Sequence, residues 1–230
     1  SDEFPLGDET APSTPADPAV QLMSCKEEDA LGDKEQSLYR KGTGKLLHMM
    51  RWSRPEVLNP VRELSRFMKM ASKAHMQALY RVLRYCVATP KRGLLLKPKG
   101  HWDGNPNYEW TIRGRSDATY ASNLENRRSV TGYSVFFEEA PVALKSGGQT
   151  SVTLSSAESE LASGTQCAQD MLYTMHIVES IGLKVKKTMI LEMDNKGAVG
   201  ICNNWSVGGR TRHVDVRQYF LRELKEEGII

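Results

Sequence analysis

The chain has 230 residues, 40% hydrophobic and 26% charged, a globular composition with room for one large domain or two small ones. A formal net charge of +3 is mildly basic, which fits a nucleic-acid partner without demanding one. No apolar run reaches the ~18 residues of a membrane span, and the acidic, proline-rich amino end is unlike a signal or transit peptide. Cys25, Cys86, Cys167 and Cys202 lack Cys-x-x-Cys or zinc-knuckle spacing, so they read as buried thiols in a reducing compartment. The chain starts without Met and reads as a fragment or a processed product.

Residues 1–38 are rich in Pro, Asp, Glu, Ser and Thr and read as an extended or disordered linker, or the end of a preceding domain. Residues 39–98 form a small, largely helical region. Leu46, Leu47, Met49 and Met50 crowd its first segment, and Val57, Val61, Leu64, Phe67 and Met68 recur at helical spacing in the second. A third helix runs from Ser72, with Met76, Leu79, Val82, Leu83 and Cys86 on one face, and Thr89-Pro90 stops it. Arg62, Arg66, Lys69, Lys73, Arg81, Arg84, Lys91 and Arg92 make this region basic, as a solvated face or a nucleic-acid-facing one. Residues 93–97 read as a short strand.

From 99 onward the pattern turns to β. Strands are expected at 110–117, 130–137 and 142–145. A long helix follows at about 156–181, with Leu161, Ala168, Met171, Leu172, Met175 and Val178 near one face. A strand at 188–193, a short helix through Ala198 and Ile201, and a last helix from about Val214 complete the chain. Strands, helix, strand and helices describe an α/β fold with a mixed sheet flanked by helices.

Three carboxylates sit where two strand ends and a helix start could join them: Asp117, Glu158 and Asp194. Such a set suits hard cations such as Mg²⁺, which take oxygen ligands. A pair of these ions can activate water and stabilise a departing 3′ oxygen in phosphodiester hydrolysis. Each residue also has a structural reading. Asp117 could cap a turn, Ser155-x-x-Glu158 matches a capping box, and Asp194-Asn195 could cap a helix. The two strands carrying Asp117 and Asp194 must be neighbours for a site to form.

The wording around these residues is more specific than their spacing. Ser116-Asp117-Ala118-x-Tyr120-Ala121, Asn126-Arg127-Arg128-Ser129-Val130-Thr131-Gly132-Tyr133 and Lys145-Ser146-x-x-Gln149 occur in turn. Leu154-Ser155-Ser156-Ala157-Glu158-Ser159-Glu160, Met193-Asp194-Asn195 and Arg210-Thr211-Arg212-His213-Val214-Asp215-Val216-Arg217 follow. In this order they resemble the ribonuclease H domain of copia-type retrotransposon polyproteins. Upstream, Tyr39-Arg40-Lys41-x-x-Gly44-x-Leu46-Leu47, Arg54-Pro55-Glu56, Leu64-Ser65-Arg66-Phe67-Met68 and Ala78-Leu79-Tyr80-Arg81-Val82-Leu83-Arg84-Tyr85 look like the segment joining the reverse transcriptase to that domain.

The resemblance implies a ribonuclease H-like domain at 99–230, behind a connection region at 39–98. It implies cleavage of the RNA strand of RNA–DNA hybrids with two Mg²⁺ or Mn²⁺ ions. Asp117, Glu158 and Asp194 would be the catalytic metal ligands. Glu160 competes with Glu158 but points about 200° away on a helix, and Glu158 is taken as the family position. Ser155, Ser156, Asn195, Arg210, Arg212 and His213 would contact nucleic acid. The implied partners are the hybrid and the polymerase portion of the same polyprotein, in a cytoplasmic replication particle with later nuclear delivery of its DNA. No Tyr-x-Asp-Asp polymerase motif occurs, and the chain stops where the family's next strand and its fourth carboxylate would follow. Asp215 is the candidate substitute for that ligand. The rival readings are a binding module that grips nucleic acid without cutting, and a structural piece that positions an adjacent polymerase.

Overall fold

The computed structural model describes residues 4–7, 10–100, 102–203 and 212–230, with the backbone alone at 212–216 and 218. The chain divides into two compact units that meet between Leu94 and Leu95.

The first unit is helical. It contains α1 (Asp33–Trp52), a 3-10 turn at Pro55–Val57, α2 (Leu58–Ser65) and α3 (Lys73–Ala88). Helix α1 begins inside the stretch expected to lack structure. Asp33 and Glu35 place negative charge in its first turn, where the helix dipole favours it. Buried Gln36 then fastens that turn, donating to the Met68 carbonyl at 3.0 Å and accepting from the Ala71 N–H at 2.8 Å. The core joins Tyr39 and Leu46 of α1 to Val61 and Leu64 of α2 and to Leu79, Val82 and Tyr85 of α3. Tyr39 donates its hydroxyl to the Leu64 carbonyl at 2.7 Å. Helix α3 starts at a capping box of Ser72 and His75 and ends at Ala88, just before Thr89-Pro90. Phe67 is buried beyond the end of α2 rather than within a helix.

Residues 93–97 form no strand. Leu94 N–H finds the Ser53 carbonyl, but Leu95 and Leu96 stand 74% and 65% exposed. An apolar triplet without a neighbouring strand has no ladder to join.

The second unit carries β1 (Glu109–Trp110), β2 (Ile112–Thr119), β3 (Val130–Phe137), β4 (Ala140–Gly148), α4 (Ser156–Ser180), β5 (Lys184–Val185), β6 (Ile190–Met193), α5 (Lys196–Asn203) and α6 (Arg212–Glu226). The main sheet has the order β4-β3-β2-β6. The β4–β3 and β3–β2 pairs are antiparallel and β2–β6 is parallel. This is the α/β mixed sheet with flanking helices that the sequence suggests. The expected strand at 110–117 is split at Thr111: Trp110 belongs to β1, which pairs with β5 in a two-residue parallel ladder that no local pattern signals. No described helix is long and apolar enough to cross a membrane. All four cysteines are free thiols.

Helix α4 is buried along one side by Leu161, Gly164, Cys167, Ala168, Met171 and Met175. Cys167, Met171 and Met175 meet Ile112, Tyr133 and Val135 of the sheet. Gly114 makes the close approach possible, because a Cβ there would press on the sulfurs of Met171 and Cys167. Gly114→Ala is therefore expected to destabilise the fold by about 1–3 kcal/mol, the usual range for overpacking a filled core. A thermal melt checks this, and an unchanged Tm would mean the helix can back away freely.

Candidate metal centre

Strand pairing sets the first two carboxylates. Ser116 of β2 lies opposite Met193 of β6, so the next residues, Asp117 and Asp194, leave the parallel pair side by side. The required neighbouring of these strands is met. Asp117 also sits opposite Gly132 of β3.

The third carboxylate comes from the first turns of α4, and it is Glu160. Asp117, Glu160 and Asp194 each offer an oxygen, and these oxygens lie within 4.8 Å of one another. Both aspartates are exposed, whereas Glu160 is 4% exposed. Glu160 Oε1 accepts the Ala118 N–H at 3.0 Å. Its Oε2 is buried with no hydrogen-bond partner. Burial pushes the Glu160 carboxyl up to about 7. The Ala118 N–H opposes that rise, and the negative charges of Asp117 and Asp194 add to it.

Glu158, the expected ligand, is elsewhere. Ser155 Oγ accepts the Glu158 N–H at 3.1 Å, and Glu158 Oε2 accepts the Leu154 N–H at 2.7 Å. These two contacts, at the Ser155 cap and one residue ahead of it, occupy Glu158 at the start of α4. Two residues on, the helix has turned about 200°, so Glu160 faces the sheet. One sequence signal points to it: Glu160, Gly164, Cys167 and Met171 continue the core-facing stripe at spacings of four, three and four. A carboxylate on that stripe is costly to bury unless something compensates it.

Two more residues that sequence reasoning did not assign to the site hold this geometry. Ser163 Oγ lies 2.8 Å from the Asp117 carbonyl and 3.1 Å from that of Gly132, sharing its proton between them. Buried Gln149 donates from Nε2 to Thr131 Oγ1 at 3.1 Å and to the Ser159 carbonyl at 3.0 Å. Together with the Ala118 contact, these tie the first turns of α4 to β2 and β3. Both belong to interior hydrogen bonds that only the tertiary fold creates.

Asn195 caps α5, its Oδ1 accepting the Ala198 N–H at 3.0 Å. That role leaves Asp194 to face the cluster. Ser155 is engaged as the α4 cap, and Ser156 is exposed beside it. Arg210 lies outside the described residues, and so do the side chains of Arg212, His213 and Asp215.

The residues fit a divalent cation. The donor set is all oxygen, as hard cations require. Three carboxylates this close repel one another until positive charge arrives, and one buried oxygen waits without a donor.

No family model and no solved structure matches this chain. It is 30% identical over 192 residues, 84% of its length, to the retrovirus-related Pol polyprotein from transposon RE1 of Arabidopsis thaliana. It is 28% identical over 196 residues to the corresponding polyprotein from transposon TNT 1-94 of Nicotiana tabacum. The chain spans only 12% and 14% of the lengths of these two relatives. It is also 32% identical over 135 residues to secreted RxLR effector protein 161 of Plasmopara viticola, covering 89% of that protein. The chain belongs to the family that includes these retrovirus-related transposon Pol polyproteins, and it corresponds to a segment of them.

Proposed function

We propose that the second unit is a ribonuclease H that hydrolyses the RNA strand of RNA–DNA hybrids, acting beside the polymerase portion of a retrotransposon polyprotein. The observation that carries this reading is the convergence of Asp117, Glu160 and Asp194. Asp117, Glu160 and Asp194 would hold two Mg²⁺ or Mn²⁺ ions. When bound, such ions supply the Lewis acidity that activates water and neutralises charge on the departing oxygen.

The chain's own residues do the positioning. Ala118 N–H fixes one oxygen of Glu160, and Ser163 braces the backbone of Asp117. The two aspartates stand exposed, Asp117 within β2 and Asp194 just past β6, where a duplex can reach them. An RNA strand is distinguished by its 2′-hydroxyls and by hybrid shape. Exposed Ser156 and the Arg210, Arg212 and His213 segment are the proposed contacts to sugar and phosphate. Ser155 and Asn195 act first as helix caps in this reading.

The test is incubation of the chain with a hybrid labelled on its RNA strand, in Mg²⁺ or Mn²⁺. The expected result is cleavage of RNA and not DNA, abolished by chelator and by Asp194→Asn. A folded chain that binds the hybrid yet leaves the RNA intact in both metals would overturn the nuclease reading in favour of a binding module.

A further inference from the structure

The sequence motif Asn126-Arg127-Arg128-Ser129 takes no part in the carboxylate cluster, yet it lies beside it. It belongs to the loop at 120–129 that joins β2 to β3. Asp117 pairs with Gly132 and Thr119 with Val130, so this loop leaves β2 and enters β3 at the carboxylate end of the sheet. At about 3.4 Å per residue, the backbone of Arg127 and Arg128 is at most ~17 Å along the chain from Gly132, the residue opposite Asp117. That is about five phosphate steps along a nucleic-acid strand.

Buried groups hold the loop in place. Ser129 Oγ accepts the Ala121 N–H at 3.0 Å and lies 2.9 Å from Thr153 Oγ1, and the Gln149 N–H donates to the Ser129 carbonyl at 2.8 Å. The Asn123 N–H donates to the Arg128 carbonyl at 3.1 Å, and the Arg127 N–H to the Asn123 carbonyl at 2.7 Å, which closes the loop on itself. Arg127 is fixed at a φ of 54°, a left-handed conformation that glycine adopts freely and arginine does not. Strain held in place by its surroundings is a pointer to function. Both arginines are exposed, and among the described residues no carboxylate pairs with either. The arginines of β2 differ, since Arg113 pairs with Glu139 and Glu192 and Arg115 with Glu192. Tyr120, three residues past Asp117, stands 43% exposed at the start of the loop.

Three clustered carboxylates repel a polyanion, so a strand that crosses them needs cations at their side. We propose that Arg127 and Arg128 hold phosphates of the hybrid's RNA strand a few nucleotides from the cut, with Tyr120 packed against an adjoining sugar, and so set the register of that strand over Asp117, Glu160 and Asp194. This rests on the reading that the second unit handles a hybrid, and it names residues that place the hybrid there. The planar fork of an arginine matches a phosphate with two parallel hydrogen bonds. Phosphate contacts fix register and orientation without reading sequence. Arg127 and Arg128 are positioning residues, and the chemistry stays with the carboxylates.

The test uses the full chain and a labelled hybrid, with fluorescence anisotropy in chelator across a salt series and cleavage kinetics in Mg²⁺. R127A/R128A is expected to raise Kd about tenfold and to flatten the log–log salt slope by about 1.8, from about 0.9 for each lost phosphate contact. KM should rise while kcat at saturation holds, and the cuts should scatter over more positions. R127K/R128K keeps both charges and should restore the slope. Arg127→Gly removes one contact together with its backbone strain, so it should melt no lower than the parent chain yet bind several-fold more weakly. K186A/K187A removes two exposed lysines ahead of β6, at the far end of the sheet, and should bind as the parent chain does. Parent-like Kd and slope in R127A/R128A would overturn the proposal, as would an equal loss in K186A/K187A. Loop-dependent hybrid binding without any cleavage by the parent chain would sink the nuclease reading and leave the phosphate grip standing.

Discussion

Glu160→Gln is expected to remove RNA-strand cleavage, whereas Glu158→Ala is expected to keep it within a few-fold. The two residues are separated by one position yet do different jobs. Glu160 offers an oxygen within 4.8 Å of those of Asp117 and Asp194, and its Oε2 is buried without a hydrogen-bond partner. Losing a direct metal ligand should exceed the ~10–100-fold loss typical of a supporting outer partner. Glu158 Oε2 accepts the Leu154 N–H, one residue ahead of the Ser155 cap of α4. Its loss should lower stability by about 1 kcal/mol, the usual net worth of one hydrogen bond. Single-turnover cleavage and thermal melts of both variants check this. Full activity in Glu160→Gln, or loss of activity in a well-folded Glu158→Ala, would reverse the assignment.

The same substitution should have an opposite effect on the metal-free fold. Without divalent ions, Glu160→Gln is expected to raise stability at pH 8 and leave it nearly unchanged at about pH 4, below both the unfolded and the folded value. The folded carboxyl titrates at about 7, above its ordinary value of 4.5. The folded state therefore holds the proton where the unfolded chain has released it. Stability contributed by this group falls as pH rises from about 4.5 to about 7, and the full penalty remains above that. Glutamine keeps the shape and an oxygen for the Ala118 N–H but carries no charge to bury. Adding Mn²⁺ at pH 8 should then stabilise the parent chain and not the variant. Metal affinity should fall as pH drops below about 7, where protons compete for the same oxygen. A Glu160→Gln chain less stable than the parent at pH 8 would mean the buried carboxylate is already compensated.

Much of this was legible in the sequence because much of it is local. The periodicity of Leu161, Ala168, Met171 and Met175 places α4 within a residue of its bounds, and the alternation around Tyr133 and Val135 gives β3 directly. Asp117 and Asp194 are readable because each lies near a strand end, Asp117 two residues before the end of β2 and Asp194 just past β6. Glu158 stands apart from the carboxylate cluster for an instructive reason. Ser155-x-x-Glu158 is a complete local signal, and the chain satisfies it locally. What makes Glu160 special is its contact with Ala118, 42 positions away, and the docking of Ser163 on Asp117. Long-range pairings of this kind leave little trace in a window of sequence. The short β1–β5 pair is invisible for the same reason, and the Leu94, Leu95 and Leu96 run misleads because apolar composition alone supplies no partner strand. Helix α1 extends back to Asp33 because Gln36 finds Met68 and Ala71, again across the fold.

The most direct test of the account is Mn²⁺ binding, followed by electron paramagnetic resonance on the full chain at pH 8. The account predicts bound Mn²⁺ in the parent chain and in Glu158→Ala, with affinity lost in Asp117→Asn, Glu160→Gln and Asp194→Asn. Binding that survives in Glu160→Gln, or no binding by a folded parent chain, would contradict it.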